Sequence, residues 1–287
     1  MRTLTPGLFS RSPAIIGMVH VAALPGTPRA RRPMREIIAQ AADEARLYAD
    51  HDLDAIIIEN MHDAPYLAGD VGPEVVAAMT AVGLAVRSAA PLPLGVQVLA
   101  AANQAALAVA LTCDAAFVRV ENFAFAQVAD EGLMPTAAAG PLLRYRRAIG
   151  AGHVRIAADI RKKHASHAIT ADVPIEEAAQ AAAFCGADAV IVTGRRTGDA
   201  ADERAAQRAR QATDLPLWIG SGVTGENIER FWPVADAMII GSHFKRDGCW
   251  ANDVDAGRVA ALMRRVARLR SGDPSGTADP AAGERRP

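Results

Sequence analysis

Acids, cations and small residues recur at regular intervals along this chain. His20, Glu59-Asn60, Gln97, Arg119 with Glu121, Asp159 with Lys163-His164, and Thr193 each stand in or just beyond a short apolar run. A carboxylate, an ammonium and an imidazole held near one point can move protons and stabilise an enolate or a carboxylate. Glu59, Glu121, Asp159, Lys163 and His164 are therefore the candidate catalytic groups. His20, Asn60, Gln97, Arg119 and Thr193 are the candidate substrate contacts. Plainer roles are open to several of them. His20 can cap a turn, Glu59 can pair with Arg119, Gln97 can be a satisfied core amide, and Lys162 and Lys163 can begin a solvated helix. A Schiff-base lysine at position 163 would need a depressed pKa, which no sequence displays.

A second chemistry lies in the stretch Pro216 to Ser242, where two apolar runs each lead into a small-residue turn, Gly220-Ser221-Gly222 and Gly241-Ser242. Small residues let backbone N–H groups close on an anion, and a following helix start adds its positive dipole end. With Lys245 just beyond, these turns are a candidate phosphate site. One glycine turn would only connect strand to helix. Two in consecutive units match the recurrent phosphate site of a (β/α)8 barrel, whose loops after strands seven and eight hold the anion.

The elements needed to position these groups can be read along the chain. Short runs rich in β-branched residues occur at 14–19, 55–58, 94–99, 116–120, 155–158, 189–192, 216–220 and 236–240. They are too continuous to have a wet face, as in parallel sheets covered on both sides. Helical patterns lie between them. Pro33 opens one with Met34, Ile37, Ile38, Ala41, Ala45 and Tyr48 on a single face, and others start near Pro73, Asn103 and Pro174. An arginine-rich helix over 200–211 and a last one over 254–269 complete the set. Eight strands alternating with helices predict an α/β fold, a single (β/α)8 TIM barrel over residues 1–270, with a disordered tail over 271–287. The segment 122–140, with Asp130-Glu131-Gly132, is longer than the usual connection of about 4 to 6 residues and reads as functional or mobile. A doubly wound sheet fits less well, because the first turn lacks a Gly-x-Gly-x-x-Gly fingerprint.

The quoted residues also carry a resemblance. Gly17-Met18-Val19-His20 with Leu24-Pro25-Gly26-Thr27-Pro28, Ile58-Glu59-Asn60, Arg119-Val120-Glu121, Asp130-Glu131-Gly132, Gly220-Ser221-Gly222-Val223-Thr224 and Gly241-Ser242 through Lys245 resemble the BtpA/SgcQ family. The likeness runs over residues 14 to 269. It implies a barrel of the ribulose-phosphate-binding class. The family's name-giving member is associated with photosystem I accumulation, whereas others accompany sugar-uptake systems without an assigned reaction. Gln97 and Glu121 stand where the photosynthetic pattern has asparagine, so the chain resembles the non-photosynthetic branch.

Composition narrows the function. A net charge of -1 and a pI near 6.7 over 287 residues exclude a nucleic-acid face. Three scattered cysteines suit reduced thiols in a cytoplasmic protein, and no apolar stretch suggests a signal peptide or an integral membrane segment. A metal-dependent hydrolase is the third and least favoured expectation, because His20 is followed by Val21-Ala22 rather than a His-x-His pair, so no zinc site is expected, while a magnesium ion between carboxylate and phosphate stays compatible. The expected partner is a small phosphorylated metabolite, a sugar or nucleotide-like compound transformed by isomerase or lyase chemistry. Barrels of this class leave room for a homo-oligomer paired through helices. The competing expectation is a non-catalytic assembly or stability factor that retained the barrel.

Overall fold

The computed structural model describes residues 8–194 and 197–272. β1 (Ala14–His20) leads through α1 (Met34–Asp50) to β2 (Ala55–Glu59), α2 (Pro73–Ala89), β3 (Leu94–Gln97), α3 (Asn103–Thr112) and β4 (Phe117–Val120). A hairpin follows, β5 (Gln127–Ala129) and β6 (Gly132–Met134), before α4 (Ala139–Ala148) and β7 (Arg155–Asp159). The two-residue β8 (Ala165–Ser166) precedes α5 (Ile175–Phe184) and β9 (Ala189–Val192). The chain then runs through α6 (Glu203–Ala212), β10 (Leu217–Ile219), the single turn α7 (Ile228–Phe231), β11 (Ala237–Ile240) and α8 (Ala256–Ser271). Eight of the strands close a parallel barrel in the order β1-β11-β10-β9-β7-β4-β3-β2.

Side chains alternate across each strand, and the two faces gather two separate cores. Ile15, Val19, Ile56, Ile58, Val96 and Val118 face outward and pack under the helices. Ile16, Met18, Ile57, Phe117, Ile191, Trp218 and Ile239 face inward and fill the barrel, with Leu8 and Phe9 packed against them. The inward set changes character near the strands' C-terminal ends. Continuing the alternation past Met18, Ile57 and Phe117 brings His20, Glu59 and Arg119, and the register sets His20 beside Glu59 and Glu59 beside Gln97. Rigid strand ends thus carry the polar residues into the mouth.

Three details differ from the sequence expectation. The long segment after β4 is a hairpin, because Asp130-Glu131 makes a two-residue turn and Gly132 takes φ +106°. β5 also pairs with β8, so a small antiparallel sheet in the order β6-β5-β8 joins the loops after β4 and β7. α7 has only four residues, too short to lend a useful dipole to the turn after β10. α8 ends at Ser271 on left-handed Gly272, which places 271 in the last helix, and the expected disorder over 273–287 lies outside the described residues. Among the described residues no helix is long and apolar enough to cross a membrane.

Candidate functional site

The turns after β10 and β11 face one cavity of about 140 Å³. Met18 and Ile239 contribute its apolar wall, His20, Glu59, Arg119, Lys163 and Arg258 its charged and polar wall, and residues 220–224 and 241–243, with Thr197, Gly198 and Gly248, the remainder. The backbone N–H groups of Gly222, Val223, Ser242 and His243 donate to no acceptor among the described residues. Four unspent donors on residues lining one cavity are the makings of an anion nest. Arg258, in the first turn of α8, adds the positive charge. Its Nε donates to the His243 carbonyl at 2.7 Å, which steadies the guanidinium beside the turns and leaves Nη1 unpaired among the described residues. The glycines have packing reasons of their own. A Cβ at Gly241 would sit 3.0 Å from His20 Nε2, and one at Gly222, where φ is +63°, would lie 2.2 Å from the Asp199 carbonyl carbon.

Beneath the cradle lies a buried ionic layer. Arg119 grips Asp159 through two parallel hydrogen bonds, Nε to Oδ2 at 3.0 Å and Nη2 to Oδ1 at 3.1 Å. That fork fixes the guanidinium edge in the cavity wall. His20 Nδ1–H donates to the Trp250 carbonyl at 3.0 Å, because a carbonyl can only accept, so Nε2 carries the lone pair. Burial, with the nearby Lys245 charge adding to it, holds His20 well below its ordinary pKa and keeps the ring neutral. Nε2 and Glu59 Oε2 are 3.8 Å apart and both accept, leaving space for a shared donor. Glu59 Oε1 and both amide atoms of Gln97 have no partner, although each residue is only 1% exposed. Native proteins seldom leave such atoms unmet.

Lys163 stands where this cavity meets a second chamber of about 330 Å³. No hydrogen bond or ion pair holds its ammonium among the described residues. Burial lowers its pKa against the pull of Glu59, with Arg119 lowering it further. In the chamber wall, burial pushes Glu121 up to about 7, against the opposing charge of Lys162. Glu121 Oε2 accepts the Ala101 N–H at 2.9 Å. A lysine with a lowered pKa and a carboxyl with a raised one thus line the same chamber, the kinds of group that acid–base chemistry uses. Among the described residues no group of three or more His, Cys, Asp or Glu side chains could hold a metal ion.

Residues 11–268 match the BtpA family. The chain belongs to the BtpA family. It is 44% identical over 268 residues to the uncharacterized protein F13E9.13, mitochondrial, of Caenorhabditis elegans, covering 92% of this chain and 96% of that one. It is 32% identical to the photosystem I biogenesis protein BtpA of Synechocystis sp., covering 93% and 92%. Among solved structures it superposes on (S)-3-O-geranylgeranylglyceryl phosphate synthase from Thermoplasma acidophilum, in complex with sn-glycerol-1-phosphate, with a TM-score of 0.57 and 13% identity, covering 89% and 94%. That likeness speaks for the barrel fold alone.

In this BtpA-family barrel the predicted residues part into three groups. His20, Glu59, Arg119, Lys163, Gly220, Ser221, Gly222, Gly241 and Ser242 line the cavity. Glu121 and His164 line the chamber instead, with His164 Nε2 accepting the Thr197 N–H at 3.1 Å. Gln97 lines neither space and its amide is unpaired, and the other four are held elsewhere. Lys245, expected on phosphate, is turned away into a buried pair with Glu44 at 2.8 Å. Asp159, expected as a free acid or base, is spent on Arg119, and the supposed Glu59–Arg119 pair is replaced by that fork because β3 separates β2 from β4. Asn60 braces Leu99 N–H and Asp63, and Thr193 donates to the Arg161 carbonyl, so neither is free for a substrate. Lys162 is no solvated helix residue but lies buried against Glu131 at 2.7 Å. Sequence reasoning missed Arg258, Thr197, Tyr66 and Trp250. Arg258 carried a faint signal, since Asp255 caps the helix and sets arginine in its first turn.

Proposed function

We propose that this protein is an enzyme acting on a small phosphorylated metabolite by proton transfer, as an isomerase or a lyase. The observation that carries the reading is the set of four unspent backbone N–H groups and Arg258 around one cavity that ends at Lys163. The cradle takes the phosphate and so delivers the neighbouring carbon to Lys163 in a fixed pose. Lys163 removes or returns a proton, Glu121 serves as its acid–base partner, and Arg119, oriented by Asp159, steadies the negative charge that develops. His20 and Glu59 bracket a substrate hydroxyl. Such groups need no redox cofactor.

The photosystem I role named for the Synechocystis relative is the competing reading. A scaffold protein gains nothing from unmet Glu59 and Gln97 atoms in a buried mouth, which cost stability until a ligand pairs them. The enzyme reading therefore leads. Its test is thermal unfolding with inorganic phosphate and ribose 5-phosphate, joined to NMR in D2O with a panel of phosphorylated sugars and glycosyl derivatives. The expected result is a melting temperature that rises with ligand, and solvent deuterium appearing at a carbon-bound position. Lys163→Met should keep the phosphate shift and lose the exchange. Protection without exchange on any compound of the panel would leave a binding protein.

A further inference from the structure

Resting on the phosphate reading above, we propose that the chamber beyond Lys163 is a second subsite that takes a planar ring bearing amino or N–H donors, joined through a sugar to the phosphate in the cradle. The substrate would then be of the nucleotide class: ring, sugar and phosphate in one molecule.

Size points first to this division. The chamber holds about 330 Å³ against about 140 Å³ in the cradle cavity, so the bulkier part of the ligand belongs in the chamber. Lys163 and Thr197 line both spaces, so one molecule can occupy the two at once.

Chemistry points the same way. Met61, Tyr66, Leu99 and Trp250 give the chamber apolar and aromatic surface. Tyr66 is pinned by its hydroxyl, which donates to the Met61 carbonyl at 2.6 Å, and the Trp250 ring leans on His62 with centroids 5.1 Å apart. Aromatic faces held in this way stack flat rings. Apart from the Lys163 ammonium, assigned above to proton transfer, the polar groups there are short of donors. Lys162 is spent on Glu131, while Glu121 keeps acceptor capacity beyond its single short bond from Ala101. A ring that brings N–H groups fits this wall better than one that brings carbonyls alone.

The strand ends between the two spaces suit a sugar. Glu59 Oε1 is buried and unpaired in the cradle wall with the His20 Nε2 lone pair beside it, and both amide atoms of Gln97, its register neighbour on β3, are unpaired although Gln97 itself lines neither space. Hydroxyl groups both donate and accept, so adjacent sugar hydroxyls can satisfy an amide and a carboxylate together.

Calorimetric titration of the full chain tests this with three probes: inorganic phosphate, ribose 5-phosphate, and adenosine or cytidine 5′-monophosphate. The wild type should bind one of the nucleotides roughly tenfold tighter than ribose 5-phosphate, the increment expected for a stacked ring. Trp250→Ala should collapse that ratio to about one while leaving the affinity for inorganic phosphate unchanged, and Trp250→Phe should restore most of it. Equal binding of nucleotide and ribose 5-phosphate by the wild type overturns the second subsite but leaves the cradle standing. A ratio untouched by Trp250→Ala does the same. Failure of all three probes on the wild type removes the phosphate reading and this inference with it.

Discussion

In the floor of the barrel, Phe117 and Trp218 meet edge to face with centroids 5.2 Å apart, and Phe9 packs against both. One inward position further along the strands, the same barrel holds Glu59, Gln97, Arg119 and Asp159. Among the described residues the floor leaves the indole N–H of Trp218 without a partner, whereas the mouth leaves Glu59 Oε1, two Gln97 atoms and the Lys163 ammonium. The floor is closed by its own packing, whereas the mouth keeps unpaired polar atoms. Stability and function thus divide along the barrel axis, as expected when function draws on groups that the fold itself leaves unsatisfied.

This contrast can be broken most sharply with two substitutions at neighbouring inward positions of β4. Phe117→Ala should cost about 3–5 kcal/mol in urea unfolding yet leave the phosphate affinity of the folded protein unchanged. Arg119→Met should cost about as much, because it strands a buried Asp159, and should also weaken phosphate binding. If both variants bind phosphate like the wild type, the division fails.

Glu121→Gln gives the next largest effect, with the opposite sign. Its carboxyl is raised from its ordinary 4.5 to about 7 by burial, so the folded state holds its proton more tightly than the unfolded chain. The group therefore costs nothing below about pH 4.5, and its full penalty is present only above about pH 7. Glu121→Gln should raise stability by up to about 3 kcal/mol at pH 8.5 and by little at pH 4.5, measured as unfolding midpoints at the two pH values. The same variant should abolish the limb near pH 7 in the rate of deuterium exchange.

Smaller changes separate Lys245, the cation expected on phosphate, from Arg258, the one that lines the cavity. Arg258→Gln should lower phosphate affinity roughly tenfold with little change in stability, since it removes one charge-assisted contact from a half-exposed position. Lys245→Met, read by the same titration, should change phosphate affinity by less than about twofold, because its ammonium already belongs to Glu44. A larger loss for Lys245→Met than for Arg258→Gln would reverse the assignment.

The barrel was legible because burial on both faces forces continuous apolar strands, and helices must cover them. Even the position of the mouth could be read, since His20, Glu59, Arg119 and Asp159 interrupt those strands at their ends. The hairpin β5–β6 was visible only as excess length. Its Asp130-Glu131-Gly132 turn is a local signal, but pairing with β8 spans more than thirty residues of chain and leaves no local mark.

Residue types and their order along the chain thus determined the architecture, the small-residue turns and the roster of ionisable groups at the strand ends. Tertiary structure alone decided which charges cancel. Lys245 and Lys163 look equally available in sequence, yet α1 supplies Glu44 to the first, while only acids already engaged or set apart surround the second. Arg258 reaches the cradle from a helix that begins well after β11, at a separation no motif spans. Electrostatic partnership depends on distances of a few ångströms between distant segments, and those distances exist only once the barrel has closed.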